Sequence, residues 1–93
     1  MKVRLTPEAA ADLDEAFDYV AAENPRAALA LVTTILEAIE TLPKAPFKGR
    51  IGKRPGTREY VIQRTNYVAV YQVAGDEITI ARVMHGRRDW PPK

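Results

Sequence analysis

The sequence predicts an α+β fold with a short N-terminal strand, a hairpin of two helices, and then a three-stranded antiparallel meander covered by the helices on one face. Two segments each begin with a capping residue followed by proline, which is typical of helix N-termini. Further along, apolar and β-branched runs surround Gly75-Asp76, a pair typical of β-hairpin turns. Residues 1–93 are enough for a single domain with one hydrophobic core.

The first strand and the first helix follow from local patterns. Within Lys2–Leu5, apolar and basic residues alternate, which predicts a strand that could pair with the later ones. Thr6 can cap the free amide groups of a helix that starts at Pro7, and Glu8 suits the positive end of its dipole. The apolar side chains of this helix form one stripe, which consists of Ala9, Leu13, Ala16, Phe17 and Val20. The helix is therefore predicted to be amphipathic.

The second helix is predicted to start after the capping residue Asn24, with Pro25 in its first turn, and to end at Pro43. Its main apolar stripe consists of Ala28, Val32, Ile35, Ile39 and Leu42. Three further leucines, Leu29, Leu31 and Leu36, extend the apolar surface beyond that stripe. Such a helix is either wedged between two layers or keeps an apolar strip for a partner. Both possibilities stay open at this point.

Residues 43–57 show no periodicity and are punctuated by proline and glycine, so we predict a loop. The loop is basic, and a connection of this length in a small domain is usually functional or mobile. Arg58 to Arg64 is predicted to be a strand with Tyr60 and Ile62 on one face. A turn at Thr65-Asn66 follows, in which Asn66 tolerates a positive φ.

The last two strands are predicted at Tyr67–Val73 and Glu77–Met84. The first of them is apolar on both faces, which is typical of a central strand covered on both sides. Arg82 lies two positions after Ile80 and is expected to share its face, which would make it half-buried. The alternative to a binding role is that Arg82 forms a structural ion pair with Glu59 or Asp89.

Charge is divided unevenly along the chain. Residues 1–42 carry three basic and eight acidic side chains, a net charge of −5, whereas residues 43–93 carry eleven basic and four acidic ones, a net charge of +7. This asymmetry indicates a basic surface for a polyanion or an acidic protein, although an ordinary solvated surface remains the alternative.

Composition also bounds the compartment and the chemistry. The chain has no cysteine, no apolar signal-peptide core and no apolar run long enough to span a membrane, so we expect a cytoplasmic protein that does not contact the membrane. One histidine and scattered carboxylates give no set of metal ligands with suitable spacing. No metal and no cofactor are expected.

Cationic and aromatic residues cluster around the predicted sheet edge and the C-terminal tail. The candidate target-binding residues are Arg58, Arg64, Arg82, His85, Arg87, Arg88 and Trp90. Guanidinium groups bind phosphate or carboxylate in pairs of hydrogen bonds, and Trp90 could either stack on a base or pin the tail to the domain. Histidine is the residue type suited to proton transfer near neutrality, and His85 is the single one in the chain, but a single histidine at a strand end is more often structural.

The order NYVAVYQV, a short turn and EITIARVMHGRRDWP, preceded by PGTREYVI and two helices, resembles the RelE/ParE superfamily of bacterial toxins from type II toxin–antitoxin modules. The resemblance implies a toxin that inhibits growth and forms a hetero-oligomer with a small cognate antitoxin. It also implies that the antitoxin meets part of the helical layer, for which we predict contacts at Leu29, Leu31 and Leu36.

Within this superfamily the resemblance is stronger to ParE-like members. RelE-like ribonucleases, which act on mRNA at the ribosome, are known for basic and tyrosine residues where this chain has Glu59, Val61, Val68 and Pro91, and only Arg87 matches. ParE-like members are associated with DNA gyrase and commonly end in an RVxH motif such as Arg82 to His85. We therefore expect a gyrase-binding toxin rather than an enzyme.

Two alternatives stay open. One is an mRNA endoribonuclease whose catalytic candidates are His85, Arg82, Arg87 and Arg88. The other is a non-toxic module that binds an antitoxin or nucleic acid.

Overall fold

A computed structural model describes residues 1–86. Its elements in chain order are β1 (Lys2–Leu5), α1 (Pro7–Ala21), α2 (Pro25–Glu40), a 3₁₀ turn (Leu42–Lys44), β2 (Arg50–Ile51), β3 (Arg58–Val61), β4 (Tyr67–Ala74) and β5 (Glu77–His85). The strands form one sheet in the order β1-β5-β4-β3-β2. β1 runs parallel to β5, and the other neighbours are antiparallel. The predicted α+β fold and its meander, β3 to β5, are confirmed.

Both predicted helix caps are present. Thr6 Oγ1 accepts a hydrogen bond from the Ala9 amide at 3.0 Å, and Asn24 Oδ1 accepts one from the Ala27 amide at 3.1 Å. The Thr6 hydroxyl also donates to the Ala81 carbonyl at 2.8 Å, so the start of α1 is fixed to β5. None of the helices in residues 1–86 is long and apolar enough to cross a membrane.

The core lies between the two helices and one face of the sheet. It consists of Ala9, Leu13, Ile35, Ile39, Leu42, Ile62, Ala69, Tyr71, Ile78, Ile80 and Val83. Tyr71 on the central strand β4 is fully buried, and its hydroxyl accepts from the Gly49 amide at 3.0 Å and donates to the Pro46 carbonyl at 2.8 Å. Gly49 passes so close that an added Cβ would lie 2.7 Å from this hydroxyl. The start of the basic segment is thereby fixed to the core.

A β-bulge interrupts the β4–β5 hairpin. Val70 pairs with Arg82 and Tyr71 with Ile80, so Ala81 has no partner on β4. Strict alternation would place Arg82 on the same face as Ile80, and this expectation is wrong because the extra residue brings Val83 into the core instead.

The β3–β4 connection differs from the predicted one. β3 ends at Val61 rather than Arg64, and the residue with positive φ is Arg64, at 66°, rather than Asn66. The cause is Thr65, whose hydroxyl donates to the Ile62 carbonyl and accepts from the Tyr67 amide. These bonds close the turn and leave Arg64 in the left-handed conformation. Gly75, in the predicted hairpin turn, has the expected positive φ of 60°.

The segment predicted as a loop between residues 43 and 57 contains part of the 3₁₀ turn and the short strand β2. A strand of two residues, Arg50–Ile51, is too short to produce a periodic pattern. It forms the sheet edge opposite β1.

Candidate functional site

Arg82 is held by an acidic residue of α1. Its Nε lies 2.8 Å from Asp12 Oδ2 and its Nη2 lies 2.9 Å from Asp12 Oδ1, which is a bidentate ion pair. These hydrogen bonds are the main cause of the raised pKa of Arg82, and the nearby charges of Asp12 and Glu8 add to it. The predicted structural ion pair of Arg82 is thus made with Asp12, which α1 brings in from a position 70 residues earlier. Of the two predicted partners, Glu59 binds Arg50 instead, and Asp89 lies outside the described residues.

The Asp12 carboxylate also takes the place of a neighbouring strand beside the end of β5. β1 pairs with β5 only as far as Ile80, and beyond that point Asp12 Oδ2 accepts the Val83 amide at 2.8 Å. The buried backbone donor at the sheet edge is thus satisfied by a side chain. Three hydrogen bonds from β5 converge on one carboxylate.

His85 lines a groove between α1 and the end of β5. The groove has a volume of about 280 Å³ and is lined by Asp12, Glu15, Ala16, Tyr19, Tyr67, Val83, Met84 and His85. The ring of His85 meets the ring of Tyr67 edge to face, with centroids 5.3 Å apart. Tyr19 is 80% exposed at the rim. The groove therefore offers an imidazole, two phenols and carboxylates, a set suited to hydrogen bonding a polar or cationic side chain of a partner.

Glu59 is an acidic residue buried at the other side of the sheet, with only 3% of its surface exposed. Its Oε1 accepts from Arg50 Nε at 3.1 Å and Nη2 at 2.9 Å, and its Oε2 accepts from the Lys53 amide at 3.2 Å. Burial of a carboxylate requires such partners. Glu59 therefore fixes β2 and the residues after it onto β3.

Arg58 lies on β3, and Arg64 lies in the β3–β4 turn. Arg58 Nη1 donates to the carbonyls of Phe47 at 3.2 Å and Gly49 at 2.9 Å, and its guanidinium lies 5.0 Å from the centre of the Phe47 ring. β4 separates β3 from β5, so Arg58 does not share a site with Arg82. The other predicted target-binding residues, Arg87, Arg88 and Trp90, lie outside the described residues.

We call the surface along β2 the basic edge, defined by Phe47, Lys48, Arg50, Ile51, Lys53, Arg54 and Arg58. Phe47 is 63% exposed and Ile51 is 80% exposed, although both are large and apolar. The basic character of this segment was predicted from the sequence, but its exposed apolar side chains were not. The sequence does contain a signal for them, because Phe47 and Ile51 are single apolar residues next to Lys48 and Arg50.

The predicted antitoxin-binding leucines differ in exposure. Leu29 and Leu36 lie seven residues apart on α2 and are 63% and 37% exposed. Leu31 is half-buried and packs against the core, so it contributes to the wedged side of the helix. α2 thus combines a buried face with a short exposed apolar strip.

Comparisons with known proteins show that the sequence of this chain is similar to those of toxins. The sequence model of the family described as "ParE toxin of type II toxin-antitoxin system, parDE" matches residues 3–90. The protein Y4kP of Sinorhizobium fredii is 34% identical over 90 residues, which cover 97% of this chain and 93% of the relative. The toxin RelE1 of Caulobacter vibrioides is 31% identical over 87 residues, which cover 90% of this chain and 91% of the relative.

Two solved structures are similar to this chain. The chromosomal ParDE toxin–antitoxin system of Pseudomonas aeruginosa contains a chain that superposes with a TM-score of 0.84 at 35% identity, covering 91% of this chain and 95% of its own length. The RelBE2 toxin–antitoxin complex of Mycobacterium tuberculosis gives a TM-score of 0.60 at 27% identity, covering 90% of this chain and 88% of the other. Both similarities extend over nearly the whole fold.

Proposed function

Since the chain belongs to the ParE toxin family of type II toxin–antitoxin systems, we propose that it inhibits DNA gyrase and is neutralised by a cognate antitoxin. The proposal makes the protein a binder of a macromolecular target rather than a nuclease. The ribonuclease alternative would need groups that move a proton from a ribose hydroxyl and stabilise negative charge on phosphorus.

The observation that carries this proposal is Glu59. It lies on β3, the strand where a RelE-like ribonuclease is expected to present lysines, and it is a buried carboxylate bonded to Arg50 and the Lys53 amide. A buried carboxylate that is paired with Arg50 offers a phosphate no positive charge, whereas a lysine at this position would. Two residues further along β3, Val61 offers an apolar side chain that is 50% exposed.

Arg82 supports the same conclusion. Two of its three nitrogens are bonded to Asp12, and the guanidinium charge is compensated by that carboxylate. A phosphate at Arg82 would therefore meet a guanidinium whose charge is already compensated by Asp12. Among the catalytic candidates in residues 1–86, this leaves His85 as the group suited to proton transfer, in a groove that also contains Glu15 and Asp12.

The antitoxin part of the proposal is supported by α2 and by the structural relatives. The matched solved structures are a ParDE system and a RelBE2 toxin–antitoxin complex. Leu29 and Leu36 form an exposed apolar strip with helical spacing, the kind of surface that binds an amphipathic segment. Both leucines belong to residues 1–42, the part of the chain with a net charge of −5.

A supercoiling assay with purified gyrase tests the target directly. The protein is expected to inhibit supercoiling and to trap cleaved DNA, and addition of its cognate antitoxin should reverse both effects. The same preparations should leave a structured mRNA intact. Undiminished supercoiling together with cleavage of that mRNA would replace gyrase inhibition with the ribonuclease alternative.

A further inference from the structure

The basic edge is not used by the proposed contacts on α2, and it lies at the opposite edge of the sheet from the β1 and β5 side. Residues 44–64 contain seven basic side chains and one carboxylate, a net charge of +6. That carboxylate, Glu59, is 3% exposed and lies under Arg50. It therefore presents almost no negative surface, and the edge is strongly positive.

Several cations of the basic edge are held in place without being neutralised. Within residues 1–86, Lys48, Lys53 and Arg58 form no ion pair with a carboxylate. Arg58 is positioned by two backbone carbonyls, and the Lys48 ammonium lies 4.5 Å from the centre of the Tyr60 ring. Neutral partners thus fix Arg58 and Lys48 while their charge stays available, which lowers the entropy lost when an anion binds.

Phe47 adds an aromatic surface to these charges. It remains 63% exposed while the Arg58 guanidinium lies 5.0 Å from the ring centre. A depression of about 240 Å³ adjoins the ring and is lined by Phe47, Ile51, Gly56, Thr57, Arg58 and Val73. Arg58 supplies the cation of this depression, and Lys48 and Lys53 belong to the same basic edge. Cations beside an exposed ring are the combination by which proteins hold single-stranded nucleic acid, through phosphates and a stacked base.

The backbone of this edge is poorly suited to a peptide partner that adds a strand. β2 has only two residues, and the neighbouring amides of Gly49, Gly52 and Lys53 already donate to Tyr71 Oη, the Thr57 carbonyl and Glu59 Oε2. Strand addition depends on a row of open backbone groups. Recognition at this edge must therefore come from side chains.

We propose that the basic edge binds single-stranded nucleic acid, with Lys48, Lys53 and Arg58 at phosphates and Phe47 stacked on one base. This site is additional to gyrase inhibition and does not depend on it. Phosphates and base faces are common to DNA and RNA, so both polymers are ligands of this chemistry.

The test uses the full-length protein and a fluorescein-labelled oligothymidylate of about 20 nucleotides, long enough to cover one site. Fluorescence anisotropy gives the affinity at several salt concentrations. Three phosphate contacts predict that log K falls with log salt with a slope of about −2, at about −0.7 per contact. Phe47→Ala should weaken binding roughly tenfold, because stacking on an aromatic side chain contributes about 1–3 kcal/mol per base.

Charge variants separate this site from a general effect of net charge. Lys53→Gln should reduce the salt slope by about 0.7. Arg26→Gln on α2 is the matched control, since it removes one exposed cation at the acidic end of the chain, and it should leave the affinity nearly unchanged. Phe47 and Lys53 are exposed, so thermal unfolding of their variants should match that of the wild type.

Competition with unlabelled polymers shows whether the basic edge prefers nucleic acid or an acidic polypeptide. Unlabelled oligouridylate should displace the oligothymidylate at a similar concentration, whereas poly-aspartate of equal charge should displace it poorly. Equal affinity of Phe47→Ala, Lys53→Gln and the wild type would overturn the proposal, as would an equally large effect of Arg26→Gln. Displacement by poly-aspartate as effective as by oligouridylate would assign the edge to an acidic protein instead.

Discussion

The Asp12 carboxylate on α1 binds Arg82 on β5 through two hydrogen bonds of 2.8 and 2.9 Å, and the same carboxylate accepts the Val83 amide at 2.8 Å. The Asp12 side chain is 12% exposed and that of Arg82 is 32% exposed. This contact connects the first helix to the last strand just past the point where β1 stops pairing with β5. It closes the fold on the side that carries the groove with His85.

Replacement of Asp12 by asparagine should therefore lower the free energy of unfolding by about 1–3 kcal/mol, because a partly buried guanidinium loses its charged acceptor. Urea denaturation measures the change. Asp14→Asn is the matched control, since Asp14 is an exposed acid on the same helix, and its effect should stay within about 0.5 kcal/mol. Equal midpoints for the two variants would show that the Asp12 contact does not contribute to stability.

Glu59→Gln should release the residues that follow β2. The glutamine oxygen can accept the two hydrogen bonds from Arg50, but its NH2 group then faces the Lys53 amide and cannot accept from it, and the side chain provides no charge to Arg50. We therefore expect a loss of about 1–3 kcal/mol in the free energy of unfolding. Hydrogen exchange of the Lys53 amide, which donates to Glu59, should accelerate before global unfolding. Glu37→Gln on the exposed side of α2 is the control. Unchanged protection of Lys53 would contradict this role for Glu59.

Serine at Leu29 and Leu36 should weaken binding of the antitoxin, because each substitution removes an exposed leucine from the strip that we assign to it. Full burial of one leucine contributes about 1.5–3 kcal/mol, so each variant should lose roughly tenfold or more in affinity. Val61→Ser removes a similar exposed apolar group from β3 and should have little effect. Calorimetry with the purified partner gives the three affinities. A larger loss with Val61→Ser than with the leucine variants would move the antitoxin to the sheet.

The helix caps and the hairpin turn, which neighbouring residues determine, were predictable from the sequence. The caps Thr6 and Asn24 and the turn glycine Gly75 act within a few residues of their own position, and each is found as expected. The pairing of Asp12 with Arg82 depends on packing between segments 70 residues apart, and no local pattern selects Asp12 over the other acids of α1.

Short irregular features could not be predicted from the sequence either. The bulge at Ala81 reverses the alternation of β5 without any glycine to mark it, and β2 is too short to be periodic. Nothing in the strand pattern around Glu59 indicates its burial, because acidic residues are seldom buried and this one depends on Arg50 and Lys53 from the preceding segment. The candidate site was therefore predictable as a set of residue types but not as an arrangement.

The most direct test of gyrase inhibition is the order of events after induced expression in a bacterium, followed by a DNA-damage reporter and by the integrity of cellular mRNA in the same cultures. We expect the damage response to come first and mRNA to stay intact, in the wild type and in His85→Gln. His85→Gln should change toxicity only through its contact with Tyr67 or with the target. Early, discrete cleavage of mRNA that disappears in His85→Gln would contradict gyrase inhibition and identify His85 as a catalytic base.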